Sequence, residues 1–401
     1  MPADRLPSRP SLTVRPFRGW RFTDGLTQTY VPPGNTPDSD VVAPMPRMMR
    51  AVLAVDEKEP AARLGGDRVG RQLLAWRRDR VLVQDEAPGY YLYRRTDSDR
   101  AIVGLIAAIS LHPPQDRVVV PHEGVNPVMV RRQVHLMEAF SGQPEPVVTA
   151  HRGSDDFKAV VHLVLRTPPS VLAYTEQIRH ELWQVADAEL VGRLGRELTD
   201  ATLLLADGHH RYAAFRQLAG RLGATHRSGD AAAPWELGLS MLVDDGDTGL
   251  QLGPIHRVLP RVPLERMRST PGVSVREGRT DGGCFLTDGG ERWWTLVPQP
   301  IASRLVSPPA PELIVSLLHR EWLPHWSVPE SDVSYVHDAD AAVAQAGASG
   351  GLALLLPSPT VNAVFEAAAS GNLMPAKATS FQPKPLIGLV MRHWPGERSD
   401  L

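Results

Sequence analysis

The interpretation of this chain starts from one stretch, Leu203-Leu204-Leu205-Ala206-Asp207-Gly208-His209-His210-Arg211-Tyr212. Its apolar beginning predicts a buried strand, and the residues after the Gly-His-His-Arg turn show the spacing of a helix. The first N–H groups of a helix lack carbonyl partners within the helix and carry partial positive charge, so a helix start attracts anions. Because Gly208 has no Cβ, a phosphate can approach the backbone closely. The stretch therefore predicts a strand-turn-helix unit that binds phosphate.

The side chains of the turn support the same chemistry. Arg211 offers a planar fork of donors that matches phosphoryl oxygens, and His209 and His210 add further donors. Asp207, at the end of the strand, is a candidate to hold Mg²⁺ or to orient a histidine. The alternative interpretation is a conventional strand-to-helix turn that carries surface histidines. The arginine, the aspartate and the entering strand together favour the phosphate site.

A second motif, Val120-Pro121-His122-Glu123, follows a short apolar stretch and precedes a predicted helix start at Asn126-Pro127. Asparagine is a good N-cap, and proline is tolerated at the first helical position. A carboxylate at position 123 can act as a general base on a substrate hydroxyl. The alternative is an acid that interacts with the helix dipole. The motif is not a His-Glu-x-x-His zinc site, because Asn126 stands where the second histidine is needed.

The composition narrows the class of protein. The chain has 401 residues, enough for two or three domains, and its 43 basic and 45 acidic residues give a net charge of −2. This balance offers no electrostatic case for binding nucleic acid or an anionic membrane. The single cysteine, Cys284, lies in a glycine-rich, loop-like context and indicates a reducing compartment. Because no apolar signal opens the chain and the longest apolar run, residues 101–111, is too short to span a bilayer, we expect a cytoplasmic protein.

Strand and helix patterns alternate along the rest of the chain, which argues for an α/β or mixed α+β fold. Residues 29–46, rich in proline and polar residues, indicate a loop. The helix after Gly208 is expected to end near Gly223. Further strands are predicted at residues 12–17, 90–93, 102–111, 118–120, 146–148, 237–243, 293–297 and 352–356, and further helices at residues 69–83, 186–198, 311–322 and 361–369.

The segment Ala206–Tyr212, Ala-Asp-Gly-His-His-Arg-Tyr, resembles the hallmark of the family called domain of unknown function 1015. Other pieces match that family in the same order along the chain: Arg15-Pro16-Phe17-Arg18-Gly19, Pro121-His122-Glu123, Glu145-Pro146, His256-Arg257 and residues 374–381. The Asp-Gly-His-His-Arg turn is also similar to the ParB/sulfiredoxin superfamily, most closely to its free-serine kinases. The resemblance implies an α/β, mixed α+β fold with a ParB/sulfiredoxin-like core that carries this turn and further α/β segments at both ends.

The resemblance also implies regions and residue roles. We expect an N-terminal α/β region at residues 1–112, a nucleotide-binding core at residues 113–245 with an insertion near 150–200, and a C-terminal substrate region at residues 246–401. In the archaeal serine kinase the glutamate of Pro-His-Glu is the catalytic base, and the His-His turn holds nucleotide phosphates. The expected residues are Glu123, His209 and His210 for catalysis; Asp207, Gly208, His209, His210 and Arg211 for the nucleotide phosphates, with Asp207 also binding Mg²⁺; and His122, His256, Arg257, Lys377 and Thr379 for the substrate.

This chain departs from the family in several places. The usual Pro-Pro-Tyr-Asp-Val segment is replaced by Val31-Pro32-Pro33-Gly34-Asn35, and Arg131-Arg132 stand where an acidic residue often precedes an arginine. The Arg-His pair that ends the C-terminal motif of the archaeal kinase is not reproduced. The stretch between the two central motifs is also much longer than in that kinase. These departures leave the choice of substrate open.

Three functional hypotheses follow. The first is transfer of a phosphoryl group from ADP or ATP, with Mg²⁺, to the hydroxyl of free L-serine or a similar small amino acid, with no nucleic-acid or membrane partner and an open oligomeric state. The second is a ParB-like switch that binds and hydrolyses nucleotide without small-molecule kinase activity; the lack of a basic recognition helix counts against a DNA-binding version. The third is a metal-dependent hydrolase that uses Asp207, His209 and His210, although adjacent histidines on a helix point in different directions.

Overall fold

The computed structural model of the chain divides into two compact units. The first comprises residues 1–121, 125–250 and 383–401, and the second comprises residues 122–124 and 251–382. The structure describes residues 10–23, 30–31, 45–46, 66–97, 100–175, 178–225, 233–246, 251–281, 283–299, 314–371, 373–375, 377–382, 384–386 and 388–394.

The strands, in chain order, are β1 (Val14–Arg15), β2 (Trp20–Phe22), β3 (Tyr30–Val31), β4 (Met45–Pro46), β5 (Leu82–Gln84), β6 (Tyr90–Asp97), β7 (Arg100–Ser110), β8 (Val119–Pro121), β9 (Gly142–Gln143), β10 (Val147–His151), β11 (Val171–Thr175), β12 (Ile178–Val185), β13 (Leu203–Asp207), β14 (Leu237–Asp244), β15 (Gln251–Gly253), β16 (His256–Leu259), β17 (Val273–Glu277), β18 (Cys284–Thr287), β19 (Trp293–Pro298), β20 (Ser334–Val336), β21 (Leu352–Leu355), β22 (Ser380–Gln382) and β23 (Arg392–His393).

The α-helices are α1 (Gly66–Arg78), α2 (Pro127–Phe140), α3 (Asp155–Leu165), α4 (Ala188–Leu198), α5 (His209–Thr225), α6 (Leu264–Arg268), α7 (Ile314–Leu317), α8 (Leu323–Trp326), α9 (Ala339–Ser349) and α10 (Val361–Ala369). A π-helical stretch, Leu318–Trp322, connects α7 to α8.

The first unit is built on a nine-stranded sheet. Eight strands follow the order β11-β12-β6-β7-β14-β10-β13-β8, and β1 pairs with β7. Most neighbours are antiparallel, but β10 runs parallel to β14 and β13 runs parallel to β8. In the last of these pairs Leu205 lies opposite Pro121. Because parallel strands point the same way, β13 and β8 end at the same edge of the sheet. The Gly-His-His-Arg turn begins at this edge, directly after β13.

Helices cover this sheet with apolar stripes. On α2 the buried residues Val130, Val134 and Met137 follow the spacing of one helix face. On α5, Tyr212, Phe215 and Leu218 enter the same hydrophobic core. Burial of such stripes, rather than helix propensity alone, stabilises helices of this length in a folded protein.

The second unit has a separate antiparallel sheet of six strands, in the order β17-β19-β18-β21-β16-β20. Ala342 and Ala346 of α9 are fully buried in a core with Val258, Ala353 and Leu355 of this sheet. The short strands β15 and β22 form a separate antiparallel pair. The segment His122–Gly124 belongs to this unit because Glu123 makes a parallel bridge with Met374.

The predicted mixed α/β class is confirmed, and the strands and helices expected from periodicity occur, with shifted ends. The helix predicted at residues 69–83 ends at Arg78, and its last two predicted residues belong to β5. Two local expectations were wrong. The helix α5 continues past Gly223 to Thr225, so this glycine does not stop it. Cys284 is not in a loop: it begins β18 and is buried. The predicted helix start at residue 311 lies outside the described residues. Within the predicted loop at 29–46 the described residues form the paired strands β3 and β4, and the rest lies outside the described residues. Within the described part of the chain, every helix is too short or too polar to cross a bilayer.

Candidate functional site

The turn after β13 requires glycine at its centre. Gly208 has a φ of +89°, in the left-handed region that disfavours side chains. A Cβ at this position would lie 2.9 Å from Cγ1 of Val147. The Tyr212 N–H then donates to the Gly208 carbonyl at 2.8 Å, which is the first bond of α5. Glycine is therefore needed here for its backbone conformation and for the close packing of Val147 and Arg211. The approach of an anion to this backbone stays a prediction.

Two helix N-termini meet at this turn. The backbone N–H of Asn126, the N-cap of α2, donates to Nε2 of His210 at 2.9 Å. Further along the same two helices, Arg221 of α5 pairs with Glu138 of α2 at 2.9 Å. The helices α2 and α5 therefore run parallel, and their positive dipole ends coincide. Parallel dipoles side by side are mutually unfavourable, and an anion at the shared positive end offsets that cost.

The bond from Asn126 also fixes the tautomer of His210. Because Nε2 accepts a hydrogen bond, it carries no proton, and the proton of the ring sits on Nδ1. The Asn126 side chain caps its own helix by accepting from the Val128 N–H at 2.9 Å, as the sequence predicts. Its neighbour in the motif, His209, is buried.

Arg211 is braced by acceptors of the protein itself. Its Nε lies 3.0 Å from Oε1 of Glu145 and its Nη2 lies 2.8 Å from Oδ2 of Asp207, while Nη1 donates to the carbonyl of Pro146. The guanidinium fork therefore holds the turn against the chain before β10. In the sequence, Glu145 stands out only through the family match at Glu145-Pro146.

Asp207 forms ion pairs with two cations, Arg211 and Lys384, and nothing in the sequence indicated the second. Nζ of Lys384 lies 3.2 Å from Oδ1, so each carboxylate oxygen faces one cation, with Arg211 on the other. Burial alone would raise the pKa of Asp207, but the attraction of Lys384 and Arg211 outweighs it and lowers the pKa. No local pattern around Lys384, in a short segment near the C-terminus, could have placed it at this turn.

In the second unit Glu123 lies in a concave set of backbone donors. The N–H of Ala378 donates to Oε1 at 2.9 Å, the N–H of Thr379 to Oε1 at 3.2 Å, and the N–H of Lys377 to Oε2 at 3.2 Å. Three successive N–H groups that converge on one anion form a nest. We call residues 377–379 the anion nest. Lys377 has a φ of +58°, which turns the chain so that these N–H groups face the same way.

The strand-like pairing of two distant segments places Glu123 beside the nest. Met374 donates its N–H to the His122 carbonyl at 2.7 Å, and Gly124 donates to the Met374 carbonyl at 3.4 Å. The buried His122 also places Nε2 at 2.9 Å from Oγ1 of Thr379. The sequence predicted His122, Glu123, Lys377 and Thr379 as site residues, and the structure brings these four together.

Arg257 contacts the backbone of the nest through the Lys377 carbonyl. Its Nη2 donates to the Lys377 carbonyl at 2.9 Å and its Nη1 to the Ile255 carbonyl at 2.6 Å. The guanidinium lies 4.5 Å from the centre of the Tyr335 ring, and among the described residues no carboxylate lies within ion-pair distance of it. Burial lowers the pKa of Arg257 to about 10, although Tyr335 and Glu123 oppose the shift. This charge is thus buried without a direct acidic partner.

Two of the predicted substrate residues are buried. Arg257 is 0% exposed, and its guanidinium donates to the carbonyls of Lys377 and Ile255. A direct substrate role for Arg257 stays a prediction. His256 is also buried and accepts the Leu356 N–H at Nδ1 at 3.2 Å. Burial, with the charge of Arg257 adding to it, lowers the pKa of His256. A substrate role for His256 stays a prediction.

The chain is thus a mixed α/β protein with a glycine-centred turn beside two helix N-termini in one unit and, in the other, a nest of backbone N–H groups around Glu123. It belongs to the family described as "Protein of unknown function (DUF1015)", whose model matches residues 14–305. No curated protein matches the chain.

Several solved structures are similar to this chain at low sequence identity. A conserved hypothetical protein from Pyrococcus furiosus is 14% identical, with a TM-score of 0.37, over 73% of this chain and 96% of the other. A free serine kinase in complex with AMP is 14% identical, with a TM-score of 0.40, over 73% of this chain and 92% of the other. SbnI from Staphylococcus aureus, with a C-terminal truncation, is 11% identical, with a TM-score of 0.39, over 71% of this chain and 87% of the other.

Proposed function

We propose that this protein is a kinase that transfers a phosphoryl group from ADP or ATP to the hydroxyl of a small amino acid such as free serine. The observation that carries the proposal is the meeting of two parallel helix N-termini at the turn, through the bond from Asn126 to His210. Phosphoryl transfer depends mainly on positioning and on neutralisation of charge. A shared positive helix end with a bare glycine supplies both for phosphate oxygens.

Charged side chains complete the phosphate half of the proposal. Lys384 is 20% exposed in its side chain and sits at the turn beside Asp207. In the proposal its ammonium group neutralises charge on the phosphate oxygens and the Nδ1–H of His210 donates a hydrogen bond to them, while Arg211 keeps the turn in shape. Phosphate is suited to such a mixture of backbone and cationic donors.

Asp207 does not fit the expected role of a magnesium ligand. A Mg²⁺ ion needs free carboxylate oxygens in near-octahedral geometry. Both oxygens of Asp207 already face cations, Arg211 at 2.8 Å and Lys384 at 3.2 Å. In the proposed enzyme Asp207 therefore holds these two cations at the turn. Phosphoryl transfer as proposed does not require a metal ion bound to Asp207.

Glu123 is the proposed proton acceptor. It follows Pro121, the last residue of β8, by two residues, and β8 ends at the same edge of the sheet as β13. A serine hydroxyl is far too weak an acid to be ionised beforehand, so the base acts while the new bond forms. The proton passes from the hydroxyl to the Glu123 carboxylate as the acceptor oxygen attacks phosphorus and the nucleotide leaves. Lys377 and Thr379 are the proposed ligands of the acceptor.

Phosphorus NMR tests the proposal directly. The protein is incubated with MgCl₂, ADP or ATP, and a pool of hydroxylated amino acids including L-serine. A new phosphate-ester resonance that depends on one amino acid is expected. Release of inorganic phosphate without an ester would favour the nucleotide-responsive switch, and an unchanged nucleotide spectrum with every acceptor and both donors would overturn the kinase proposal.

A further inference from the structure

The anion nest of residues 377–379 is occupied by a carboxylate of the protein itself. Three N–H groups and the hydroxyl of Thr379, with Oγ1 at 3.4 Å from Oε1, surround the Glu123 carboxylate. Such nests bind anions through fixed backbone dipoles and do not distinguish one carboxylate from another. We propose that the nest is a binding site for the carboxylate of an amino-acid-like ligand, and that Glu123 occupies it as an internal substitute until the ligand arrives. This inference rests on the proposed function for the role of the ligand as acceptor.

The nest is held in shape without help from Glu123. On one side Arg257 fixes the Lys377 carbonyl at 2.9 Å, and Nζ of Lys377 lies 5.1 Å from the centre of the Tyr335 ring. On the other side β22 begins at Ser380, opposite Gly253 of β15. Because these contacts fix both ends of the nest, its N–H groups stay aligned when Glu123 moves out. The nest is therefore preorganised for a replacement anion.

The electrostatics of this region require an anion in the nest. Arg257 is completely buried, and no carboxylate of the described residues lies within ion-pair distance of it. A nest emptied of Glu123 would leave three N–H donors without their acceptor and would remove a negative charge that opposes the effect of burial on Arg257, which is costly in a partly buried place. A ligand carboxylate satisfies the same donors, so exchange of one carboxylate for the other costs little.

Glu123 and a ligand carboxylate cannot share the nest. Two carboxylates on the same donors would lie a few ångströms apart and repel each other. The side chain of Glu123 is 13% exposed, so it already reaches the protein surface. In the proposal, the ligand that enters displaces Glu123, and the released carboxylate then has oxygens free to accept a proton. Binding of the acceptor and release of the base are thereby one event.

Acetate is the probe for the nest, because it carries a carboxylate and nothing else. The protein is labelled with ¹⁵N-alanine, and the amide resonance of Ala378 is followed by ¹H–¹⁵N TROSY during titration with sodium acetate, with sodium chloride as the ionic-strength control. If Glu123 fills the nest more than about 90% of the time, its removal in Glu123→Ala lowers the apparent Kd for acetate about tenfold or more. Glu366→Ala, which removes a carboxylate of α10 that accepts from Asn362 at 2.8 Å, leaves the wild-type Kd.

The outcomes separate the inference from the kinase proposal. An equal or weaker acetate affinity in Glu123→Ala, with a dispersed spectrum that shows a folded protein, overturns the inference. If Glu123→Ala unfolds, Glu123→Ser replaces it: the short hydroxymethyl side chain carries no carboxylate and does not extend to the three N–H donors, so the Kd must again fall. The titration contains no nucleotide and measures no turnover. A tighter Kd together with a negative phosphorus NMR result would therefore support the nest and reject the kinase.

Discussion

Asn126 donates its backbone N–H to Nε2 of His210 at 2.9 Å, and this bond joins the starts of two parallel helices. The two residues come from different motifs of the sequence. Their contact brings the positive ends of two helix dipoles together and sets the tautomer of His210. The site is therefore sensitive to the backbone of the turn as well as to its side chains.

Replacement of Gly208 by alanine is expected to lower the free energy of unfolding by about 1–3 kcal/mol, because a non-glycine residue there is forced to a left-handed φ and its Cβ meets Val147. Nucleotide binding should fall with it. Gly220→Ala, in the same helix, is the matched control: nothing lies within 4 Å of a Cβ there, so alanine should raise stability by about 0.5–1 kcal/mol. Urea unfolding measures both. Equal effects at the two glycines would contradict the assigned turn.

Lys384→Met is expected to weaken nucleotide binding about tenfold or more, since one charge-assisted bond to phosphate is lost and Asp207 is left facing the turn with a single cation. Isothermal titration calorimetry with ADP and ATP measures the change. Lys158→Met is the matched control, because Lys158 pairs with Asp244, an aspartate outside the turn, at 3.5 Å. The role of Lys384 is refuted if wild type binds nucleotide and both variants bind it equally well.

Features that depend on neighbouring residues could be predicted from the sequence, and features that depend on distant pairing could not. The strand before Asp207 and the cap at Asn126 are local, and both were predicted correctly. Glycine instead of alanine at position 223 lowers helix stability by only about 1 kcal/mol. Packing of the apolar face of α5 offsets this loss, so the helix continues to Thr225. Lys384 and the buried state of Arg257 arise from segments far apart in the chain, for which no periodicity gives a signal. The ParB/sulfiredoxin-like core and the three-region organisation stay predictions.

Glu123→Gln and Glu123→Ala are both expected to lower kcat by about 10²–10⁴ if Glu123 accepts the proton during transfer. Nucleotide affinity should stay at the wild-type value in both, since the proposed phosphate ligands are elsewhere in the sequence, at residues 208–211 and 384. Initial rates of ester formation and calorimetric ADP binding give the two quantities. A variant with near-normal kcat would remove Glu123 from the reaction. A loss of nucleotide affinity in parallel with kcat would indicate a structural role instead.

The pH dependence of stability offers a test that needs no ligand. His180 is completely buried, with Nδ1 2.8 Å from the Tyr93 hydroxyl and Nε2 2.7 Å from Oγ1 of Thr175. Burial, with a smaller contribution from Arg95, lowers the pKa of His180 from 6.5 to about 4. Between these two values the unfolded chain binds a proton that the folded chain does not. The stability contributed by neutral His180 is thus fully present above pH 6.5 and is lost as the pH falls towards 4.

The expected loss is of the order of 3 kcal/mol over that interval, from the size of the shift. In His180→Asn the free energy of unfolding should therefore fall less steeply with decreasing pH, by about 1.4 kcal/mol per pH unit near pH 5. Urea unfolding followed by tryptophan fluorescence from pH 7 to pH 4 gives the slopes. His135→Asn, on the exposed side of α2, is the control for removal of a histidine and should keep the wild-type slope. A slope unchanged by His180→Asn would mean that this imidazole is protonated equally in the folded and unfolded chains, contrary to its buried position between Tyr93 and Thr175.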